Sequence, residues 1–231
     1  ATSWASNLEK EYIIKAKTQG VKVVSYLDHW VNYLERFQLR GGVYLPDEIW
    51  AGDSVSYGIA TNVFSDNVEV KYVENQYFSS LKKKMQSYES KEVECQNLRK
   101  ILYICEPIID HVGADFELNE FCLLEDFLKN IINDETKLST VIKVRLHPSE
   151  FEKKYQSVVE KYPEKLVSIS NGRELVEDFQ WADDVVGISS MAMMAAHMLN
   201  KKVYTLPFVA STSYYSLPIQ FPIFSVEAEQ L

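Results

Sequence analysis

The feature that most constrains this chain is the alternation, in its second half, of short apolar runs with longer amphipathic stretches. Lys100-Ile-Leu-Tyr-Ile-Cys105, Thr140 to Leu146, Leu166 to Ile169, Asp184 to Ile188 and Lys202 to Leu206 read as strands. Such runs lack a polar face, so each expects cover on both sides, as in a parallel sheet. Between them lie helical stretches at Phe116 to Ile132, Glu150 to Lys161, Arg173 to Trp181 and Ser190 to Leu199. Strand and helix in alternation give an α/β fold, a parallel sheet wound on both faces. Ligands of such sheets bind beyond the carboxyl ends of the strands.

The first half repeats the style less regularly. Leu8, Tyr12, Ile13 and Ala16 recur at helical spacing over Ser6 to Lys17, and Gly20 follows as a stop. Val21 to Tyr26, Asp47 to Gly52 and Val68 to Val73 read as strands; Gly41-Gly42 marks a turn, and Asp53 caps a helix to Phe64. Residues 78–97 turn polar and charged, the character of a helix and linker. The expected organisation is a partial amino-terminal domain over 1–77, a linker over 78–97 and a carboxyl-terminal domain over 98–231.

Composition removes several classes of function. With 46% hydrophobic and 25% charged residues the chain can build a core, so a packed domain is expected rather than disorder. A net charge of -9 argues against a nucleic-acid surface while leaving room for a local nucleotide pocket. Cys95, Cys105 and Cys122 lack metal-ligand spacing and lie in apolar segments, so they read as buried thiols of a cytoplasmic protein. The four histidines are scattered, and no metal site is expected. No apolar run is long enough to span a membrane, and no signal peptide is expected. The chain opens on Ala-Thr-Ser rather than Met, as a segment of a longer protein would.

Four strand ends can carry chemistry: Asp28-His29, the Glu106 to Gly113 loop, His147-Pro148 and Ser189-Ser190. Ser190 can cap the following helix, whose first N–H groups and dipole favour an anion. The plain alternative is a structural cap. His147, held before a rigid proline, can donate to or protonate a phosphate leaving group; otherwise it is a bonded loop histidine. Arg145 can assist it or serve as a solvent or interdomain charge. Asp28 can act as a general base for an acceptor hydroxyl, or simply cap its aromatic-rich loop.

The run Val141-Ile-Lys-Val-Arg-Leu-His-Pro-Ser-Glu150, then Ala182-Asp-Asp-Val-Val-Gly-Ile-Ser-Ser-Met-Ala192 and Lys201-Lys-Val-Tyr204, resembles bacterial GT-B glycosyltransferases of surface-polysaccharide synthesis. The His-Pro and Ser-Ser pairs look like those of bacterial sialyltransferases and polysialyltransferases; CDP-glycerol glycerophosphotransferases have a similar arrangement. The resemblance implies two Rossmann-like domains, the first incomplete here, and a capsule-type polysaccharide as the product. It implies donor-phosphate binding by His147, Pro148, Ser189 and Ser190, with Arg145 beside them. It also implies that the histidine assists phosphate departure. Thr2 to Glu9, Asp28 to Phe37 and Leu45 to Asp53 look like the back half of a GT-B amino-terminal domain, in which Asp28 stands for the base. The acidic motif that supplies the base in the sialyltransferase families has no clean copy here.

The implied partners are a nucleotide-sugar donor, with a CMP-linked sugar among the options, and a glycan acceptor. No cofactor is implied. A peripheral place at the inner face of a bacterial membrane and homo-oligomerisation are compatible with the resemblance. Two alternatives stand beside the transferase. One is an isomerase like UDP-GlcNAc 2-epimerase; the other is a non-catalytic subunit on the same fold.

Overall fold

The computed structural model describes residues 6–64, 67–87, 98–109, 119–132, 140–210 and 217–225. The chain forms two compact units, Ala1–Ser80 and Leu81–Leu231.

In the first unit, α1 (Leu8–Thr18) precedes β1 (Val24–Leu27), a 3-10 turn (Glu35–Phe37), β2 (Gln38–Leu39) and β3 (Gly42–Val43). Then come β4 (Glu48–Ala51), α2 (Ser54–Phe64), β5 (Glu69–Tyr72) and the start of α3 (Gln76–Ser87). Strands β1, β4 and β5 form a parallel sheet in the order β1-β4-β5. Helix α1 stops where Gly20 takes φ 69°, and Val21 N–H reaches back to Ala16 O at 2.9 Å. This is the left-handed closure glycine makes at low cost. Of the apolar face expected on α1 only Ile13 is fully buried; Leu8 and Tyr12 are 60% and 62% exposed. The core is filled instead by Leu27, Ile49, Phe37, Phe64 and Tyr33. The loop sequence after β1 supplies much of that core, and its rings pack edge to face, Phe37 on Phe64 at 5.5 Å.

The second unit carries β6 (Arg99–Ile104), α4 (Glu120–Ile132), β7 (Thr140–Arg145), α5 (Gln156–Val159) and β8 (Val167–Ile169). It continues through α6 (Leu175–Trp181), β9 (Asp184–Gly187), α7 (Met191–Met198), β10 (Lys202–Thr205) and α8 (Pro207–Ala210). All five strands are parallel, in the order β10-β9-β6-β7-β8. The first strand of the unit is central; the next two extend one way and the last two the other. This is the Rossmann-like order, with its switch point between β6 and β9.

Successive β6 residues Ile101, Leu102, Tyr103 and Ile104 are all buried, so both faces are covered. Helix α4 packs Leu123, Leu124, Phe127, Leu128 and Ile131 on one face of the sheet. Its start is capped by Asn119, whose Oδ1 accepts from Phe121 and Cys122 N–H, both at 3.0 Å. Cys122 lies on the outer side of this helix and is exposed, unlike the buried Cys105. The expected helix over 150–161 is mostly a chain of tight turns, with helix only at Gln156–Val159. Before that helix the main-chain bonds run over three residues, as at Lys154 to Phe151 and Gln156 to Lys153.

Candidate functional site

At the switch point, β6 continues into Cys105-Glu106-Pro107 and β9 into Ile188-Ser189-Ser190. Glu106 spans the gap between them. Its Oε2 accepts from Ser189 N–H at 3.0 Å, and its Oε1 accepts from the Ser189 hydroxyl at 3.0 Å. Ser190 acts differently, since its Oγ accepts from Ala192 N–H at 3.2 Å and caps α7. The two adjacent serines are thus divided, one fixing a carboxylate and one opening a helix. Gly187 lets α7 approach, because a Cβ there would stand 2.8 Å from Met193 Sδ. The Glu106 loop is recognisable in the sequence as a strand end, yet the Glu106–Ser189 bond joins residues 83 apart and has no local signature.

His147 follows β7, on the other side of β6 from Ser189. Two interstrand spacings separate those strands, roughly 10 Å. The His147 imidazole is half-buried. Its Nδ1 lies 2.7 Å from Ser149 Oγ and accepts from Ser149 N–H at 3.3 Å. A main-chain N–H only donates, so Nδ1 keeps its lone pair and the neutral ring carries its proton on Nε2. The His147 N–H donates to Glu150 Oε2 at 2.8 Å. The following Pro148 is exposed and has no N–H of its own.

Arg145 turns from this group. Its Nη1 is ion-paired with Asp178 and donates to Gly172 O at 3.2 Å. Asp178 is 2% exposed and accepts from the Ser170 hydroxyl as well, so the guanidinium is tied to the start of α6.

In the first unit, Asp28 stands one residue past β1. It is half exposed, and its Oδ1 meets the buried Arg36 at 3.2 Å. His29 Nδ1 accepts from Trp30 N–H at 3.0 Å, which places its neutral proton on Nε2. Burial, followed by the nearby Arg36, lowers the His29 pKa, against the opposing charge of Asp28. Asp53 accepts from Val55 and Ser56 N–H at 2.9 and 2.8 Å, and from the Trp30 indole at 3.0 Å. It therefore caps α2 and anchors the aromatic loop together. Tyr26 Oη is buried close to Gly52 and has no hydrogen-bond partner among the described residues. Burial, then Asp53 and Asp28, push its pKa up. Tyr26 and Asp53 fall outside the residues that the sequence marks for a site; their strand-end positions are the signal it offers for them.

Among the described residues there is no cluster of three or more metal-ligating side chains, and no helix long and apolar enough to cross a membrane. His111 lies outside the described residues.

No protein-family model matches the sequence, and no curated protein matches it. Solved structures do. The structure is similar to UDP-GlcNAc 2-epimerase from Methanocaldococcus jannaschii, with a TM-score of 0.54 and 13% identity over 93% of this chain. The chain spans 64% of that enzyme's length. Weaker likenesses are to KpsC, the β-Kdo 2,4 transferase of Thermosulfurimonas dismutans, and to the wall teichoic acid polymerase TagF. KpsC has a TM-score of 0.35 at 11% identity, covering 59% of this chain and 46% of that one. TagF has a TM-score of 0.38 at 15% identity, covering 70% and 40%. At such identities the first likeness establishes a shared α/β fold, the one the sheet order already describes.

Proposed function

We propose that this chain takes part in glycosyl transfer from a nucleotide-sugar donor to a glycan hydroxyl, with the donor bound by the unit Leu81–Leu231. The observation that carries the reading is the group of strand-end residues around the switch point: Glu106 bonded to Ser189, Ser190 capping α7, and His147 two strands away. A phosphate at the amino end of α7 gains from the helix dipole without displacing Glu106. Ser189 then fixes Glu106, whose carboxylate accepts hydroxyls of the ribose or sugar. His147, with its proton on Nε2, donates to the departing phosphate. Asp28 is the base proposed for the acceptor hydroxyl. The sialic-acid-like sugar and CMP-linked donor of the sequence resemblance remain within this proposal, as do a peripheral membrane location and self-association.

Calorimetric titration of the full chain with CMP, CDP, UDP and GDP tests it. One nucleotide is expected to bind, and His147→Ala to weaken it at least about tenfold, the worth of one hydrogen bond to a charged group. Failure of all four to bind sinks the reading. An isomerase is the second reading, favoured by the structural similarity to UDP-GlcNAc 2-epimerase. Incubation with UDP-GlcNAc, followed by NMR of the sugar ring, separates the two: inversion at one carbon with the nucleotide still attached favours the isomerase.

A further inference from the structure

Beneath the ends of β6 and β7 lies a buried ionic cluster that the donor chemistry does not use. Lys154 Nζ sits 2.7 Å from Glu120 Oε1 and 2.8 Å from Glu150 Oε1. The side chains of Glu120, Glu150 and Lys154 are 3%, 1% and 11% exposed. The buried Tyr155 donates its hydroxyl to Glu150 Oε1 at 2.7 Å. Each carboxylate keeps its other oxygen for the main chain. Glu120 Oε2 accepts Ile109 N–H at 3.1 Å, in the segment after β6. Glu150 Oε2 accepts His147 N–H at 2.8 Å, in the segment after β7.

Burying two carboxylates with one ammonium is a poor way to gain stability, since apolar side chains of like volume do as well or better. A fully bonded cluster of this kind instead fixes geometry, because each partner dictates the direction of the next. Here the chain of bonds runs from one strand-end segment to the other: Ile109 main chain, Glu120, Lys154, Glu150, His147 main chain. Pro148 has no N–H, so the cluster grips this segment through the main-chain N–H of His147 itself.

We propose that Glu150 is a positioning residue for His147, holding it by its main-chain N–H and linking it through Lys154 and Glu120 to the segment that follows β6. The imidazole thereby keeps a fixed place relative to the strand end that bears Glu106. The role in donor binding rests on the reading above; the hold on His147 does not.

The experiment uses the full chain with Glu150→Ala, Glu150→Gln and His147→Ala. The His147 ring resonance, assigned by its loss in His147→Ala, is followed alongside calorimetry with CMP, CDP, UDP and GDP. Glu150→Ala is expected to shift or broaden that resonance and to weaken nucleotide binding about tenfold. Glu150→Gln retains an acceptor for the His147 N–H and is expected to restore both, binding to within about threefold. A His147 resonance unchanged in a folded Glu150→Ala overturns the proposal. Should that variant not fold, Glu150→Asp replaces it: the shorter carboxylate retreats from the His147 N–H, and an unmoved resonance again refutes the role. If His147→Ala binds nucleotide as the parent does, the donor reading falls, while the resonance still judges Glu150.

Discussion

Lys154→Met removes the ammonium from the cluster and leaves most of its stem volume in place. Two carboxylates, 3% and 1% exposed, then face each other without the cation that bridged them at 2.7 and 2.8 Å. Breaking a buried pair on one side costs about 3–5 kcal/mol, because the remaining charge is neither hydrated nor paired. The sign with pH follows from the protonation states. In the parent, burial acts most strongly on Lys154 and lowers its pKa, but the bonds to Glu120 and Glu150 with their charges outweigh it, so the pKa is raised. That stabilisation is complete below the ordinary value of 10.5 and is lost as pH rises through the folded-state value. In the variant, the isolated carboxylates repel, and one binds a proton more readily than in the unfolded chain. The folded variant then holds the extra proton, so its deficit narrows as pH falls from 8 to 5, by at most about 1.4 kcal/mol per pH unit for one proton. Urea unfolding at the two pH values, with hydrogen exchange of the β6 and β7 amides, measures both quantities. Adding Glu120→Gln to Lys154→Met should recover part of the loss. A deficit below about 1 kcal/mol, or one equal at pH 5 and 8, would refute the electrostatic account.

Gly52→Ala should destabilise the first unit by about 1–3 kcal/mol, since overpacking has no free space to enter. The new Cβ would stand 2.1 Å from Tyr26 Oη and 2.9 Å from Asn75 Cβ. Tyr26→Phe removes the clashing oxygen, which bonds to no described residue, so thermal unfolding of the double variant should show most of the loss recovered; no recovery places the strain elsewhere. His29 predicts an acid-side instability. Its folded pKa is lowered, by burial first and Arg36 second, so the unfolded chain takes the proton first as pH falls below the ordinary 6.5. Stability present above that value should fall between pH 7 and 5, and His29→Asn should flatten the slope; an equal slope in the variant refutes the assignment.

The parallel strands of the second unit were legible because their apolar runs have no polar face to expose, and each observed strand lies within or one residue from its expected run. Ser190 was legible too, since a serine before an alanine- and methionine-rich helix is a local capping pattern. The strand order was not, because it is decided by which helices cover which face. The bond between Glu106 and Ser189 was equally hidden, since strand order alone makes them neighbours. Glu150 occupied a middle ground. A glutamate three residues after His147, reaching back to its N–H, is the half of a capping box that sequence can show. The expected helix over 150–161 obscured it. Phe151 is 68% exposed, so burial along that stretch begins only near Tyr155.

The placement of charge narrows how an anion could be held at the carboxyl side of this sheet. Arg145, two residues before His147, is engaged by Asp178, and Lys154, seven residues after it, by Glu120 and Glu150. Glu106 puts a carboxylate at the switch point itself. A phosphate approaching Ser189 meets that negative charge, whereas one approaching the amino end of α7 meets the positive end of the helix dipole, although Ser190 already accepts the Ala192 and Met193 N–H groups. In the proposed donor site, phosphate would be recognised by the helix dipole and the His147 imidazole. Dipoles act over a single turn of helix and an imidazole over a single hydrogen bond, so their value depends on position far more than that of a lysine on a long stem. The proposed hold of Glu150 on His147 would meet that requirement for position.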